Sequence, residues 1–352
     1  MHMADALISP AVGGTLWVVS AGLIAYCARK LKQTMRDNLV PMMGVLGAFI
    51  FAAQMINFSI PGTGSSGHLG GGLILSVLLG PHAAFLVIAS VLTVQAFFFA
   101  DGGLLALGCN IFNLGFFPAF IAYPFIYRPL AGGAGSVSRS WIAAIVAAVV
   151  GLQLGAFSVV LETKASGISE LPFGTFVLLM LPIHLAIGVV EGLATAAVVS
   201  FVARTRPEVL AAAPVAAEDK TGLRPVLIGL AIAALIVGGA VSWFASTHPD
   251  GLEWSIAKVT GKEEISGSDG GIHRKLTAVQ EKTAFLPDYG FKSAEAAGVN
   301  AEKASAESAA VESESWPAVT AGTSVSGIVG GLITLGLVCL IGFVLKERRI
   351  NV

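Results

Sequence analysis

The apolar positions of this chain fall into long blocks separated by short polar breaks, rather than alternating or recurring on one helical face. Runs near or above ~18 apolar residues recur, the length a helix needs to cross a bilayer. They predict spans at about 11–28, 40–57, 82–100, 103–127, 141–161, 173–203, 225–246 and 321–345, with a short helix at about 70–80 set off by Gly80-Pro81. Between the second run and the short helix lies a glycine- and serine-rich loop, "SIPGTGSSGHLGGG". A polar linker at 206–224 divides a first unit, 1–205, from a second, 225–352, whose two spans flank a long polar insert at 247–320. The expected fold is all-α: a polytopic membrane helical bundle of about seven transmembrane helices plus a C-terminal two-helix unit. A transmembrane barrel would instead show ~10-residue segments of alternating polarity.

Composition agrees with this pattern. Of 352 residues, 55% are hydrophobic and only 12% charged, with mean hydropathy +0.80; soluble domains carry about 25% charged residues. The net charge of -1 gives no basic footprint for nucleic acid. Cys27, Cys109 and Cys339 lie in apolar runs without CxxC spacing and read as packed or lipid-facing hydrophobes. Residues 1–10 lack the basic region of a signal peptide, so the N-terminus is expected to be retained.

Basic residues set the orientation. With residue 1 outside, the inner segments hold Arg29, Lys30, Lys32, Arg36, Arg128, Arg139, Arg204, Arg206, Lys220, Arg224, Lys346, Arg348 and Arg349. The short outer loops then hold only Lys164. The N-terminus and the His68 loop are therefore expected on the extracytoplasmic face of a cytoplasmic (inner) membrane. The insert, with 12 acidic and 7 basic residues, falls on the same face and would attract cations at long range. Its alanine- and glutamate-rich second half, around 294–315, reads as low-complexity.

Candidate chemistry starts at residue 1. A free α-amine on Met1, the backbone nitrogen of His2 and its imidazole are three tethered nitrogens that close two small chelate rings on one metal ion, and a fourth nitrogen completes a square plane suited to Ni²⁺ or Cu²⁺. The dipeptide alone is well explained by chance. His68 changes the balance, because it sits on the same face in a loop whose glycines let the backbone approach an ion closely. Met1, His2 and His68 are thus the candidate metal ligands. Binding would displace protons and weaken in acid.

Other polar residues lie inside the apolar runs. Gln54 and Asn57 could hydrogen-bond the loop, while Asp101, Asn110 and Asn113 read as interhelical hydrogen-bonding groups. His184 and Glu191 share a helix face but stand ~10.5 Å apart along the axis, at 1.5 Å per residue, and each is open to a functional or a structural role. His82 reads as a turn residue. The pairs Ala21/Ala25, Ala143/Ala147 and Ala144/Ala148 could pack the bundle or receive a partner. No GxxxxGK[ST] and no HExxH occurs, which excludes a P-loop and argues against a zincin. "GSSG" at Gly64–Gly67, with His184 as a base, leaves a rhomboid-like serine protease as a weak alternative. A secondary carrier using Glu191 is another.

"MHMADALISP", "IPGTGSSGHLGGGLI", "FFFADGGLLALGCNIFNLG" and "LPIHLAIGVVEGLAT" together resemble the CbiM/NikM family, the substrate-binding membrane subunits of energy-coupling-factor transporters for cobalt and nickel. The likeness covers about residues 1–205. Residues 225–352 resemble the small two-span NikN/PDGLE-type component, with "PDGLE" at Pro249–Glu253. The resemblance implies a transporter subunit rather than an enzyme, without an ATPase of its own. It implies a membrane coupling subunit (CbiQ/NikQ-like) and cytoplasmic ATPases (CbiO/NikO-like) as partners, no permanent cofactor, and Ni²⁺ or Co²⁺ as transported substrate. It also implies metal ligation by the amine of Met1, the amide and imidazole nitrogens of His2, and His68. The fusion leans towards nickel; cobalt, for cobalamin synthesis, stays open.

Overall fold

The computed structural model describes residues 2–35, 38–132, 137–169, 171–205, 223–263, 265, 271–292, 317 and 319–350. Met1, the 206–222 linker and the 294–315 stretch lie outside these described residues. Six helices are long and apolar enough to cross a membrane, and two shorter apolar ones accompany them. The chain is a multi-pass membrane protein.

The first unit contains α1 (Pro10–Thr34), α2 (Leu39–Gln54), α3 (Gly72–Leu79), α4 (Pro81–Phe98), α5 (Leu107–Ala131), α6 (Val137–Ser166) and α7 (Phe173–Thr205). Pro10 and Pro81 stand in the first turns of α1 and α4, where the missing N–H costs nothing. Most of α5 is wound as a wide π-type helix, Phe112–Tyr127, around Pro118 and Pro124. Packed neighbours make such breaks tolerable in a membrane. Glycines bring α6 and α7 together: a Cβ on Gly188 would stand 2.8 Å from Cα of Val149. The alanine faces of α6 are spent internally. Ala143, Ala144, Ala147 and Ala148 are buried in one cluster with Ala122 of α5 and Ala196 of α7, whereas Ala21 and Ala25 on α1 are exposed.

In the second unit, α8 (Arg224–Gly239) and α11 (Ala321–Ile350) pack on α2 and on each other. Gly238 lies against Gly327, where a Cβ would meet backbone at 3.1 Å. Exposed apolar side chains such as Val18, Leu178 and Leu340 face outwards, as lipid contact requires.

The glycine-rich loop is a small antiparallel hairpin, β1 (Phe58–Ile60) with β2 (Ser65–Gly67), pairing Ser59 with Ser66. Sequence reasoning left the part played by the insert open beyond a long-range attraction for cations; its first half folds as a lid. After a 3-10 turn at Val241–Phe244 come α9 (Gly251–Thr260), α10 (Gly271–Thr283) and a second 3-10 turn at Pro287–Tyr289. Asp250 and Glu253 form a reciprocal capping box that starts α9. The lid is hydrogen-bonded to the first unit at many points. Ser66 N–H donates to Pro249 O at 2.8 Å, Trp254 Nε1 to Thr63 O at 3.0 Å, and Gln280 Nε2 to Gly102 O at 2.8 Å. Asp288 N–H donates to Phe99 O at 2.9 Å, and His273 Nε2 to Ile8 O at 2.9 Å.

Candidate metal centre

The N-terminal segment is anchored in the bundle by three of its side chains. Met3, Leu7 and Ile8 are fully or almost fully buried, and the Met3 backbone is held by α5 and the loop before it. Met3 N–H donates to Asn110 Oδ1 at 2.8 Å, while Gly103 N–H (2.9 Å) and Asn110 Nδ2 (3.2 Å) donate to Met3 O. Asp5 Oδ1 accepts from Ala106 N–H at 2.9 Å. This segment delivers His2 to the hairpin. The His2 and His68 rings, 66 positions apart in sequence, stack with centroids 4.8 Å apart and planes within 8°.

Each ring has a defined hydrogen-bond partner. His2 Nδ1 lies 3.0 Å from Asp101 Oδ1, and its Nε2 is buried without a hydrogen-bond partner among the described residues. His68 Nδ1 donates to Leu69 O at 3.1 Å, which leaves Nε2 as the nitrogen with the lone pair. Burial holds the His68 imidazole down to about 3, so it is a neutral donor over the physiological range. Burial alone would raise Asp101. The His2 imidazole and the Tyr289 hydroxyl outweigh it and hold this carboxyl below the usual range. Tyr289 donates its O–H to Asp101 Oδ2 from the lid, at a left-handed φ of 59°. A non-glycine residue in that region marks local strain, which collects at functional sites. A cavity of about 960 Å³ lies over the pair, lined by His2, His68, Asp101, Asp250, Arg274 and Tyr289 among others.

The His68 loop is clamped from below. Glu191 Oε2 on α7 accepts from Gly70 N–H at 2.8 Å, and Gln54 Nε2 donates to Gly70 O at 2.8 Å. Gln95 Nε2 in turn donates to Gln54 Oε1 at 2.9 Å. Gly71, at φ 76°, turns the chain into α3. Glu191 thus has a definite structural part. Glu191→Ala strips a buried N–H of its acceptor, an expected loss of roughly 1–3 kcal/mol, read as a lower melting temperature of the metal-free protein.

Of the candidate ligands, His2 and His68 come together and Met1 lies outside the described residues. Asp101 and Asn110 join the site, Asn113 instead donates to Glu162 Oε2 at 2.8 Å, and His82 lies in the first turn of α4, beside Tyr26 and Phe120. Ser65 and Ser66 are committed elsewhere: Ser65 Oγ pairs with Thr63 Oγ1, and Ser66 donates to His248 O at 2.7 Å. Sequence reasoning missed Tyr289 and Asp250. The D-x-x-E spacing of Asp250 and Glu253 was a legible capping signal; nothing local marked Tyr289.

Residues 2–209 match the family model CbiM, described as the cobalt uptake substrate-specific transmembrane region. The chain belongs to the CbiM family. Residues 224–347 match the PDGLE domain, so this CbiM chain carries the C-terminal unit on the same polypeptide. It is 36% identical over 244 residues to a putative fused nickel transport protein NikMN of Archaeoglobus fulgidus, covering 68% of this chain and 77% of that one. It is 30% identical over 287 residues to a fused nickel transport protein NikMN of Rhodobacter capsulatus, covering 77% and 81%. A crystal structure of a truncated transition metal transporter aligns with TM-score 0.51 at 28% identity, covering 58% of this chain and 99% of that chain. CbiM-family membership makes this a nickel/cobalt transport-family protein.

Proposed function

We propose that the chain is the substrate-binding component of an energy-coupling-factor importer for Ni²⁺. It takes the ion from the extracytoplasmic side through the Met1 amine, the amide and imidazole of His2, and His68 Nε2. The supporting observation is the buried His2–His68 pair, formed by a terminal segment that α5 pulls into the bundle. The amide nitrogen, Cα, Cβ, Cγ and Nδ1 of His2 close a six-membered ring on a metal. In the described conformation Nδ1 faces Asp101, so loading turns the imidazole about Cβ–Cγ and releases that contact. His68 needs no such change, since its Nε2 already carries the lone pair. Nickel is preferred over cobalt because a four-nitrogen plane with an amide donor suits Ni²⁺ and because the fused relatives are named for nickel. A coupling subunit and cytoplasmic ATPases supply the energy.

Uptake by cells producing this chain, with and without a coupling subunit and its ATPases, tests the reading. Ni²⁺ accumulation is expected only with all components. Equal uptake by the chain alone would make it a secondary carrier, and preferential Co²⁺ uptake would reassign the metal.

A further inference from the structure

The proposed capture site leaves His184 unused. This residue sits on α7, 1% exposed. Its Nδ1 lies 2.7 Å from Met180 O, a carbonyl that can only accept. Nδ1 therefore carries the proton and Nε2 the lone pair. Among the described residues Nε2 is buried and has no hydrogen-bond partner. A buried acceptor in that condition is costly and calls for a partner that none of the described side chains supplies, such as a water or an ion.

Its surroundings favour an ion in transit. His184 lines a second, small cavity of about 10 Å³ together with His68, Asp250, Gly67, Gly70 and Gly251. That is room for one water-sized occupant. His68 and Asp250 line this cavity and the 960 Å³ cavity above it, so the two residues stand between them. The glycines keep the chamber open: a Cβ on Gly251 would lie 2.6 Å from Ile183 Cγ2 and 3.2 Å from His184 Cε1. Among the described residues no three His, Cys, Asp or Glu side chains are preassembled as a metal cage.

The geometry points to His184 as a second metal ligand, which receives a divalent transition-metal ion from His68 on the inward side of the capture site. The ion stays on imidazole nitrogen throughout, which suits a borderline metal such as Ni²⁺, and Asp250 lies beside it as a compensating carboxylate. This inference rests on the capture reading above and extends it inwards.

Full-length protein in nanodiscs, titrated with Ni²⁺ by calorimetry, tests it. His2→Ala removes the capture chelate, and this variant is expected to retain weaker binding of one ion on His68 and His184. Adding His184→Gln is expected to weaken that residual binding at least about tenfold and to reduce the imidazole scattering at the nickel K-edge from two rings to one. Gln still offers a donor to Met180 O, so a folding failure of His184→Ala would not decide the matter. His184 has no such role if the His2→Ala protein binds no Ni²⁺, or if His184→Gln changes neither affinity nor spectrum; the cavity then holds water. Wild-type affinity in the His2→Ala protein would instead overturn the capture reading, and the His184→Gln comparison in that background would still read the inner site.

Discussion

His2→Ala is expected to weaken Ni²⁺ binding by about three orders of magnitude, close to 4 kcal/mol at 1.4 kcal/mol per decade. It removes the imidazole that closes the larger chelate ring and faces His68 across 4.8 Å. One residue added before Met1 is expected to cost a similar amount with every side chain intact, because the amine moves out of reach and an amide takes its place. Calorimetry on the two proteins, with circular dichroism to establish folding, reads both effects. A tagged protein that binds as well as the native start would remove the amine from the ligand set.

The second large effect is expected from Gly103→Ala, which touches no ligand. Gly103 N–H donates to Met3 O, and a Cβ there would fall on the carboxylate and backbone nitrogen of Asp5. Asp5 cannot yield without giving up its bond to Ala106, so the whole 2–8 segment must lift. His2 then loses its place opposite His68. Binding is expected to fall by at least about a hundredfold, towards the His2→Ala level, while melting changes by only about 1–3 kcal/mol, the usual cost of overpacking. Hydrogen exchange of Met3 and Leu7 amides distinguishes a lifted segment from a global loss of structure. Unaltered affinity would mean that the terminal segment need not be docked for capture.

These two substitutions show what could be read from the chain and what could not. The spans were legible because a bilayer demands long uninterrupted apolar runs; α4 and α7 lie within about two residues of their expected limits, while α1 and α6 run five or six residues past theirs. Placing His2 and His68 on one face was legible from charge bias and loop order. That Asp101 would orient His2 was not, since an acidic residue ending a span reads equally well as a helix-helix hydrogen bond. The hold of Gly103 on Met3 and of Glu191 on Gly70 are contacts over about a hundred residues, invisible to any local spacing rule. The docking of the insert was hidden for a related reason: its charge is conspicuous in sequence, whereas the bonds of Pro249 to Ser66 and of Asp288 to Phe99 use backbone atoms that every residue possesses.

The lid and the bundle it closes share one polypeptide, and this bears on stoichiometry. Tyr289 reaches Asp101 across 188 positions of the same chain, so the cover is present once per bundle and its closure is an intramolecular event. A cover on a separate polypeptide would leave on dilution and could be outnumbered. Here its closure is independent of how much protein the cell makes.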